Sequence, residues 1–591
     1  MKYSDHFVSV LKDLGYTHCF YVAGGNIMHL LESASQVFTC VPVVHEVTAG
    51  IAAEFFNESD AQNGSKAFAL VTAGPGLTNI ITAMAGAYLE SRDLLVVGGQ
   101  VKSSDLSPEG IRQTGIQEIN GMELTKSITV AQLQIRNPVP DQEIVDVVNR
   151  GLSPKKGPVF IEFCLDAQGS PIDPAAFPKA EFGKAIVDSG SLVSEEILQA
   201  LRKAKRPALL IGGGVSRQKA RSLERELENL PIPVMTTWNA TDRMDSRAPS
   251  YFGRPNTWGQ RYANLVMQQS DLLIALGTRL GLQQTGFNWQ EFVPNGEVVH
   301  VEIDGAELEK PHPNAKYKVK GNANEFIEKL LPEIHRYSSP DWREWIEFAN
   351  EVKNALPLSE TVNHTRAGYI NSYDFYLQLS AIVQSGDAVV PSSSGASETV
   401  AMQALLQPSN ATVITTKGLA SMGYGLGGAI GLAFSGPNRV IHIEGDGGFA
   451  QNLQELGTVR ANNLNIKTFI LSNNGYASIR MTQKSYFDGH YVGCDPSTGL
   501  GLPDWKKLFD AFSIPVAQLN PDNPFSEDVL TSLQNPGPQA YLVPIDPEQT
   551  YYPKITSSVN ADGTMVSSPL HRMTPDLPVE LEKKVLRHIN K

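Results

Sequence analysis

Two side chains that follow neighbouring apolar runs carry the most telling chemistry of this 591-residue chain. Asp446, within Gly445-Asp446-Gly447, follows the run 440–443, and Asn473, within Asn473-Asn474, follows the run 466–471. The 27 positions separating them include a helix-compatible segment, 452–461, long enough to set two parallel strands side by side. A carboxylate and an amide oxygen then converge at one sheet edge, as hard oxygen ligands suited to Mg2+ or Ca2+. The glycines flanking Asp446 allow backbone N–H groups to approach a phosphate closely. Together they read as a clamp for a metal ion and a diphosphate. Gly-Asp-Gly alone is equally a tight turn; the Asn-Asn after the next strand distinguishes the pair.

Positioning such a clamp requires a parallel sheet, and the chain supplies the pattern for three. Short buried runs end in glycine and are followed by helical spacing at 16–22, 66–71 and 94–97, again at 207–211, 271–276 and 297–303, and again at 440–443 and 466–471. That is the signature of sheets covered on both faces, with ligands beyond the carboxyl ends of the strands. The expected architecture is three open, doubly wound α/β domains. These are placed at 1–170, 191–336 and 371–555, joined by linkers at 171–190 and 337–370 and followed by a tail at 556–591; helix-like spacing is present at 342–356.

Composition narrows the classes. A net charge of −13 without a basic, aromatic-interleaved stretch argues against a nucleic-acid groove. Apolar runs far shorter than the roughly 20 residues of a membrane span, and an N-terminus without the pattern of an export signal, make the cytoplasm the expected location, with no membrane partner. Cys19, Cys40, Cys164 and Cys494 are scattered, as reduced core cysteines are.

With the clamp in place, the sequence resembles the thiamine diphosphate (ThDP) enzymes, and within them the acetolactate synthase group. The resemblance extends over nearly the whole chain: Val44-His45-Glu46, the loop Val71-Thr72-Ala73-Gly74-Pro75-Gly76-Leu77-Thr78-Asn79, Gly99-Gln100-Val101, Gln117-Glu118, and the segment 418–428 occur in the group's order. It implies that Asp446, Asn473 and the Gly475 carbonyl hold Mg2+, and that Ala396, Ser397, Gly447, Gly448 and Tyr476 line the diphosphate. Asn79 belongs to the cofactor site, and Met422 is the apolar wedge that keeps the cofactor bent. Glu46 would stand against the pyrimidine ring, with Asn26 and Gln117 at the reacting carbon; His29 and His45 read as structural histidines, with proton donation the alternative role. The resemblance also implies a homodimer or homotetramer whose Glu46 faces the clamp of another subunit, and FAD on the middle domain at Gly212-Gly213-Gly214, Gly277-Thr278-Arg279 and Glu302-Ile303-Asp304.

The implied reaction is decarboxylation of a 2-keto acid, with pyruvate the expected donor, and transfer of the two-carbon unit to a carbonyl acceptor. Three departures from acetolactate synthases stand out: Thr482 where a tryptophan is expected, an insertion at 102–115, and a longer tail segment at 547–577. These traits resemble the branch in which the acceptor is a keto sugar nucleotide. Acetolactate synthase proper, a simple decarboxylase or pyruvate oxidase, and a catalytically dead binding protein remain the alternatives.

Overall fold

In the computed structural model, which describes all residues except 60–63, 154, 182–192, 560–561 and 590–591, the chain builds three parallel sheets. Positions 182–190 of the expected first linker lie outside the described residues. The first sheet holds β1 (Tyr16–Tyr21), β2 (Thr39–Pro42), β3 (Lys66–Val71), β4 (Leu94–Gln100), β5 (Ala131–Ile135) and β6 (Pro158–Cys164), in the order β2-β1-β3-β4-β6-β5. The second holds β7 (Pro207–Ile211), β8 (Val234–Thr236), β9 (Leu272–Leu276), β10 (Glu297–Glu302) and β11 (Tyr317–Lys320), in the order β11-β10-β9-β7-β8. The third holds β12 (Ala388–Pro391), β13 (Thr412–Val413), β14 (Val440–Gly445), β15 (Ile466–Ser472), β16 (Val516–Gln518) and β17 (Gln539–Pro544), in the order β13-β12-β14-β15-β17-β16. The first and third sheets are thus wound identically. Every residue of β4, β6, β7 and β9 is buried, which is why these strands read as unbroken apolar runs.

The first and third sheets share one hydrophobic core. Helix α1 (Glu46–Glu58) packs with α2 (Pro75–Glu90) and against α3 (Tyr424–Ser435) of the third unit. Glycines permit the close crossing: a Cβ added at Gly431 would lie 2.1 Å from the Ala52 carbonyl oxygen, and Gly428 sits on the Phe55 ring. A charged pair, Glu54 and Arg92, is sunk in this interface. Glu54 takes hydrogen bonds from Arg92 Nη1 (2.9 Å) and the Tyr424 hydroxyl. Burial pushes its carboxyl up to about 7, with Arg92 and Tyr424 pulling the other way.

The helix-like spacing at 342–356 corresponds to a helix over Pro340–Ala355, so the second expected linker opens with a packed element. Its Trp342 and Trp345 indoles donate to the carbonyls of Ala204 (2.7 Å) and Pro207 (3.0 Å), fastening it to the middle unit. After the third sheet the tail forms an antiparallel pair, β18 (Ser557–Val559) with β19 (Met565–Ser567). It then returns to the middle unit, where Arg261 Nη1 donates to Met573 O and Gln269 Nε2 to Val585 O, both at 2.9 Å. Among the described residues no helix is long and apolar enough to cross a membrane.

Candidate active site

β14 and β15 are hydrogen-bonded neighbours, with Gly445 opposite Leu471, so their carboxyl ends deliver Asp446 and Asn473 to one edge. The Asp446 carboxylate accepts from the backbone N–H groups of Gly447 (2.8 Å), Asn474 (2.8 Å), Asn473 (3.1 Å) and Gly475 (3.2 Å). Burial nevertheless pushes its pKa up to about 6 against those donors. Such a carboxylate gains from a cation. Asn473 Oδ1 is buried and has no hydrogen-bond partner among the described residues, an acceptor with nothing to accept. Among the described residues no group of three or more His, Cys, Asp or Glu side chains could hold a metal. One carboxylate, one amide oxygen and backbone carbonyls therefore make the available donor set, and its hard oxygens fit Mg2+.

The glycines beside Asp446 are required by their neighbours. A Cβ on Gly447 would stand 2.5 Å from the Tyr476 ring, one on Gly448 2.3 Å from Ser393 Oγ, and one on Gly475 2.2 Å from the Cys494 carbonyl oxygen. Ala396 and Ser397 begin the helical turn after β12. The Ser397 hydroxyl reaches back to the residues just before it, donating to Ser392 O (2.7 Å) and Ser394 O (2.9 Å). Met422 is partly exposed on the segment leading into α3, beside Gln451 of the turn that follows Asp446.

The other candidates collect at the edge of the first sheet. Glu46 opens α1 and is 8% exposed; Asn79, on α2, donates from Nδ2 to Glu46 Oε2 at 2.9 Å. Gly76 lies against the same site, since a Cβ there would be 3.0 Å from Thr72 Cγ2 and 3.6 Å from Glu46 Oε1. The backbone N–H of Asn26 donates to Thr72 Oγ1 (3.4 Å), and its carbonyl accepts from Gln168 (2.8 Å). Gln117 is exposed at φ 60°, with its carbonyl 2.5 Å from where a Gly74 Cβ would be, so it borders the Gly-Pro-Gly turn. His45 caps α1, its Nδ1 accepting from Val47 N (3.2 Å), while His29 packs against Gly169. The insertion before Gln117 closes around Glu118, which accepts from the backbone of Ser107, Thr114 and Gly115. Burial opposes its ionisation, but these N–H groups outweigh it and hold Glu118 down to about 2.

Within one chain, Glu46 and the start of the Met422 segment lie at opposite ends of α2. Glu46 and Asn79 are at its first turn, whereas Glu90, its last residue, takes the backbone N–H groups of Lys417 and Gly418, from which the Met422 segment departs. Sixteen residues of helix span about 24 Å.

Comparison with known proteins agrees with this geometry. Profiles of the thiamine pyrophosphate enzymes match the chain three times: the N-terminal TPP binding domain at 1–124, the central domain at 194–330 and the C-terminal TPP binding domain at 393–540. The chain belongs to the thiamine diphosphate-dependent enzymes. Among its relatives is the acetolactate synthase isozyme 1 large subunit of Escherichia coli, 27% identical over 564 residues that cover 93% of this chain and 95% of that protein. The acetolactate synthase large subunit of Parasynechococcus marenigrum is 28% identical over 579 residues (95% and 90%), and a chloroplastic acetolactate synthase of Zea mays 26% over 579 (94% and 87%).

In this ThDP enzyme the middle sheet borders a cavity of about 610 Å3, lined by Gly213, Gly214, Gly277, Thr278, Arg279, Glu302 and Ile303, and by Glu90, Arg92, Lys156 and Lys417 from the flanking units. Asp304 stands outside that lining, paired with Lys155 at 2.8 Å. Two residues that the motifs did not single out contribute. Glu455 ties the units together by accepting from the backbone of Val44 (3.1 Å) and His45 (2.9 Å), just before Glu46. Tyr551, 2% exposed, lies beneath the turn at Gly395, where a Cβ would be 3.3 Å from its ring.

Proposed function

We propose that this enzyme uses ThDP and Mg2+ to decarboxylate a 2-keto acid, pyruvate by preference, and passes the two-carbon unit to a carbonyl acceptor. The unpartnered, buried Asn473 Oδ1 beside a carboxylate that burial disfavours is the observation that carries the reading. Asp446, Asn473 and the Gly475 carbonyl would hold the cation, Gly447, Gly448, Ala396, Ser397 and Tyr476 the diphosphate, and Met422 the bent shape. When bound, ThDP supplies a nucleophilic thiazolium carbon and an electron sink for loss of CO2. Glu46, oriented by Asn79, holds and returns a proton at the pyrimidine nitrogen. Asn26 and Gln117, at the rim of the same edge, donate to the oxygen of the reacting carbonyl.

Placement of Glu46 and the Met422 segment at opposite ends of α2 supports a site completed by a second copy of the chain, as a dimer or a tetramer. Co-expressing Glu46→Gln with Asp446→Ala tests this. Half of randomly paired dimers are mixed and each regains one intact site, so activity returns to about a quarter of wild type; none returns if each chain supplies its own site. The middle cavity, rimmed by glycine turns and by the Glu302 carboxylate at a strand end, supports FAD or a related dinucleotide there. The domain limits expected at 170, 191, 336, 371 and 555 are retained as part of this proposal.

Acetolactate synthase-like carboligation is favoured by the relatives, and a bulky polar acceptor, a keto sugar nucleotide, by the mouth of the site. Thr482 is exposed on the helix Ala477–Tyr486 and presents no bulky side chain there. Incubation with labelled pyruvate and a panel of acceptors, with mass detection, decides the matter. Transfer of a two-carbon label to a keto sugar nucleotide supports this acceptor, and labelled acetolactate as the sole product overturns it.

A further inference from the structure

Between the end of β2 at Pro42 and the start of α1 at Glu46 the chain makes a short crossing, 43–45. Glu455, from the third unit, takes hold of it. Its Oε1 accepts from His45 N (2.9 Å) and Val44 N (3.1 Å), and its Oε2 from Val44 N (3.2 Å) and the Thr458 hydroxyl (2.7 Å). All three partners are donors, as an ionised carboxylate requires, and the side chain is buried. A charge is costly to bury even when hydrogen bonds hold it, so a carboxylate here calls for a role that an apolar residue could not fill.

Both sides of this contact are firmly mounted. Glu455 closes the turn Leu453–Glu455, its N–H donating to Asn452 O (3.1 Å), and Asn452 Nδ2 donates to Gly423 O (2.7 Å) at the head of α3. Leu456 and Val459, on the helix that follows, are buried in the core shared by the first and third units. On the receiving side Val43 N donates to Tyr21 O (3.0 Å) of β1, and the His45 ring caps α1 through Val47 N (3.2 Å). Glu46 is thus the first helical residue after a segment gripped by sheet, cap and carboxylate, while Asn79 Nδ2 holds its own carboxylate at 2.9 Å.

Resting on the reading of Glu46 as the group at the pyrimidine nitrogen, we propose that Glu455 is a positioning residue for Glu46: it fixes the entry of α1 and with it the place where the Glu46 carboxyl stands. Asn79 then sets the direction of that carboxyl, and Glu455 the position of its backbone. Because the contact is made within one chain, it holds whether Glu46 serves its own clamp or that of a second copy. A displacement of about 1 Å at a reacting group costs on the order of 100-fold in rate, which is the lever that such a residue controls.

The test pairs two readouts on the full chain. In the apoprotein, amide hydrogen exchange over 43–48, followed by mass spectrometry, should speed up by about 10-fold in Glu455→Ala, because Val44 and His45 lose their acceptor. With ThDP and Mg2+ added, kcat for CO2 release from pyruvate should fall by roughly 10- to 100-fold, while KM for pyruvate and the affinity for ThDP stay within about threefold. Thr458→Val, which takes one donor from the carboxylate without emptying its place, should move both readouts the same way by less, and it stands in if Glu455→Ala does not fold. On a Glu46→Gln background neither change should lower kcat further. Unchanged amide exchange, wild-type kcat, a loss confined to KM or ThDP affinity, or an equal further loss on the Glu46→Gln background overturns the proposal. If the wild-type protein neither binds ThDP nor releases CO2 while the amides respond as expected, the functional reading has failed and the positioning role with it, although the contact stands.

Discussion

Replacing Gly448 by alanine probes the cradle most sharply, because the two closest obstructing atoms belong to one side chain, Ser393. The new Cβ would stand 2.3 Å from Ser393 Oγ, 3.0 Å from Ser393 Cβ and 3.1 Å from Glu444 Oε1, all inside normal contact. Ser393 cannot swing away cheaply, since its hydroxyl donates to Glu444 (2.5 Å) and its backbone is at φ 75°. Overpacking of this kind costs about 1–3 kcal/mol. Borne by the turn that receives the cofactor, it corresponds to about 5- to 150-fold weaker ThDP binding. Ser393→Gly should rescue it, removing both nearest atoms and suiting the left-handed backbone. Glu444 then still accepts from Gly423 N (3.1 Å). Trp505, with its ring centroid 5.7 Å from that of Phe449, is an intrinsic fluorescence reporter for the ThDP titration. Wild-type affinity in Gly448→Ala, or no recovery in the double variant, refutes the packing argument.

Further expectations follow from other parts of the molecule. Because Asp446 titrates at about 6 and only its carboxylate holds a cation, Mg2+ affinity should be constant above that pH and fall about tenfold per unit below it, as measured by ThDP-dependent Mg2+ titration from pH 5 to 8. Gly431→Ala, which drives a Cβ to 2.1 Å from Ala52 O, should part α1 from α3 and lower the thermal midpoint by the equivalent of about 1–3 kcal/mol; an unchanged scan would contradict the close crossing. Added FAD should raise the thermal midpoint with the logarithm of its concentration, and Gly213→Phe, which fills the cavity, should abolish that response.

Much of this was legible because the signals are local. Buried strands such as β7 announce themselves as apolar runs closed by glycine, and the Asp446–Asn473 spacing follows from one strand–helix–strand unit. Glu46 and Met422 were singled out by motif order. The burial of Tyr551 under the Gly395 turn was not legible, since it lies on a segment that returns from beyond β17. Glu455 reaches Val44 and His45 across 411 and 410 positions, a contact that no local pattern encodes. Helix Pro340–Ala355 was visible as spacing, yet its two tryptophans docked on the middle unit made it part of the structure instead of a tether.

The central claim is that Glu46 and the Asp446 clamp act together on a 2-keto acid. Release of labelled CO2 from carboxyl-labelled pyruvate by the protein loaded with ThDP and Mg2+ tests it most directly. The account predicts release that requires both additions and is lost, by roughly 100-fold or more, in Glu46→Gln. Release at the wild-type rate in that variant, or without ThDP, would contradict it.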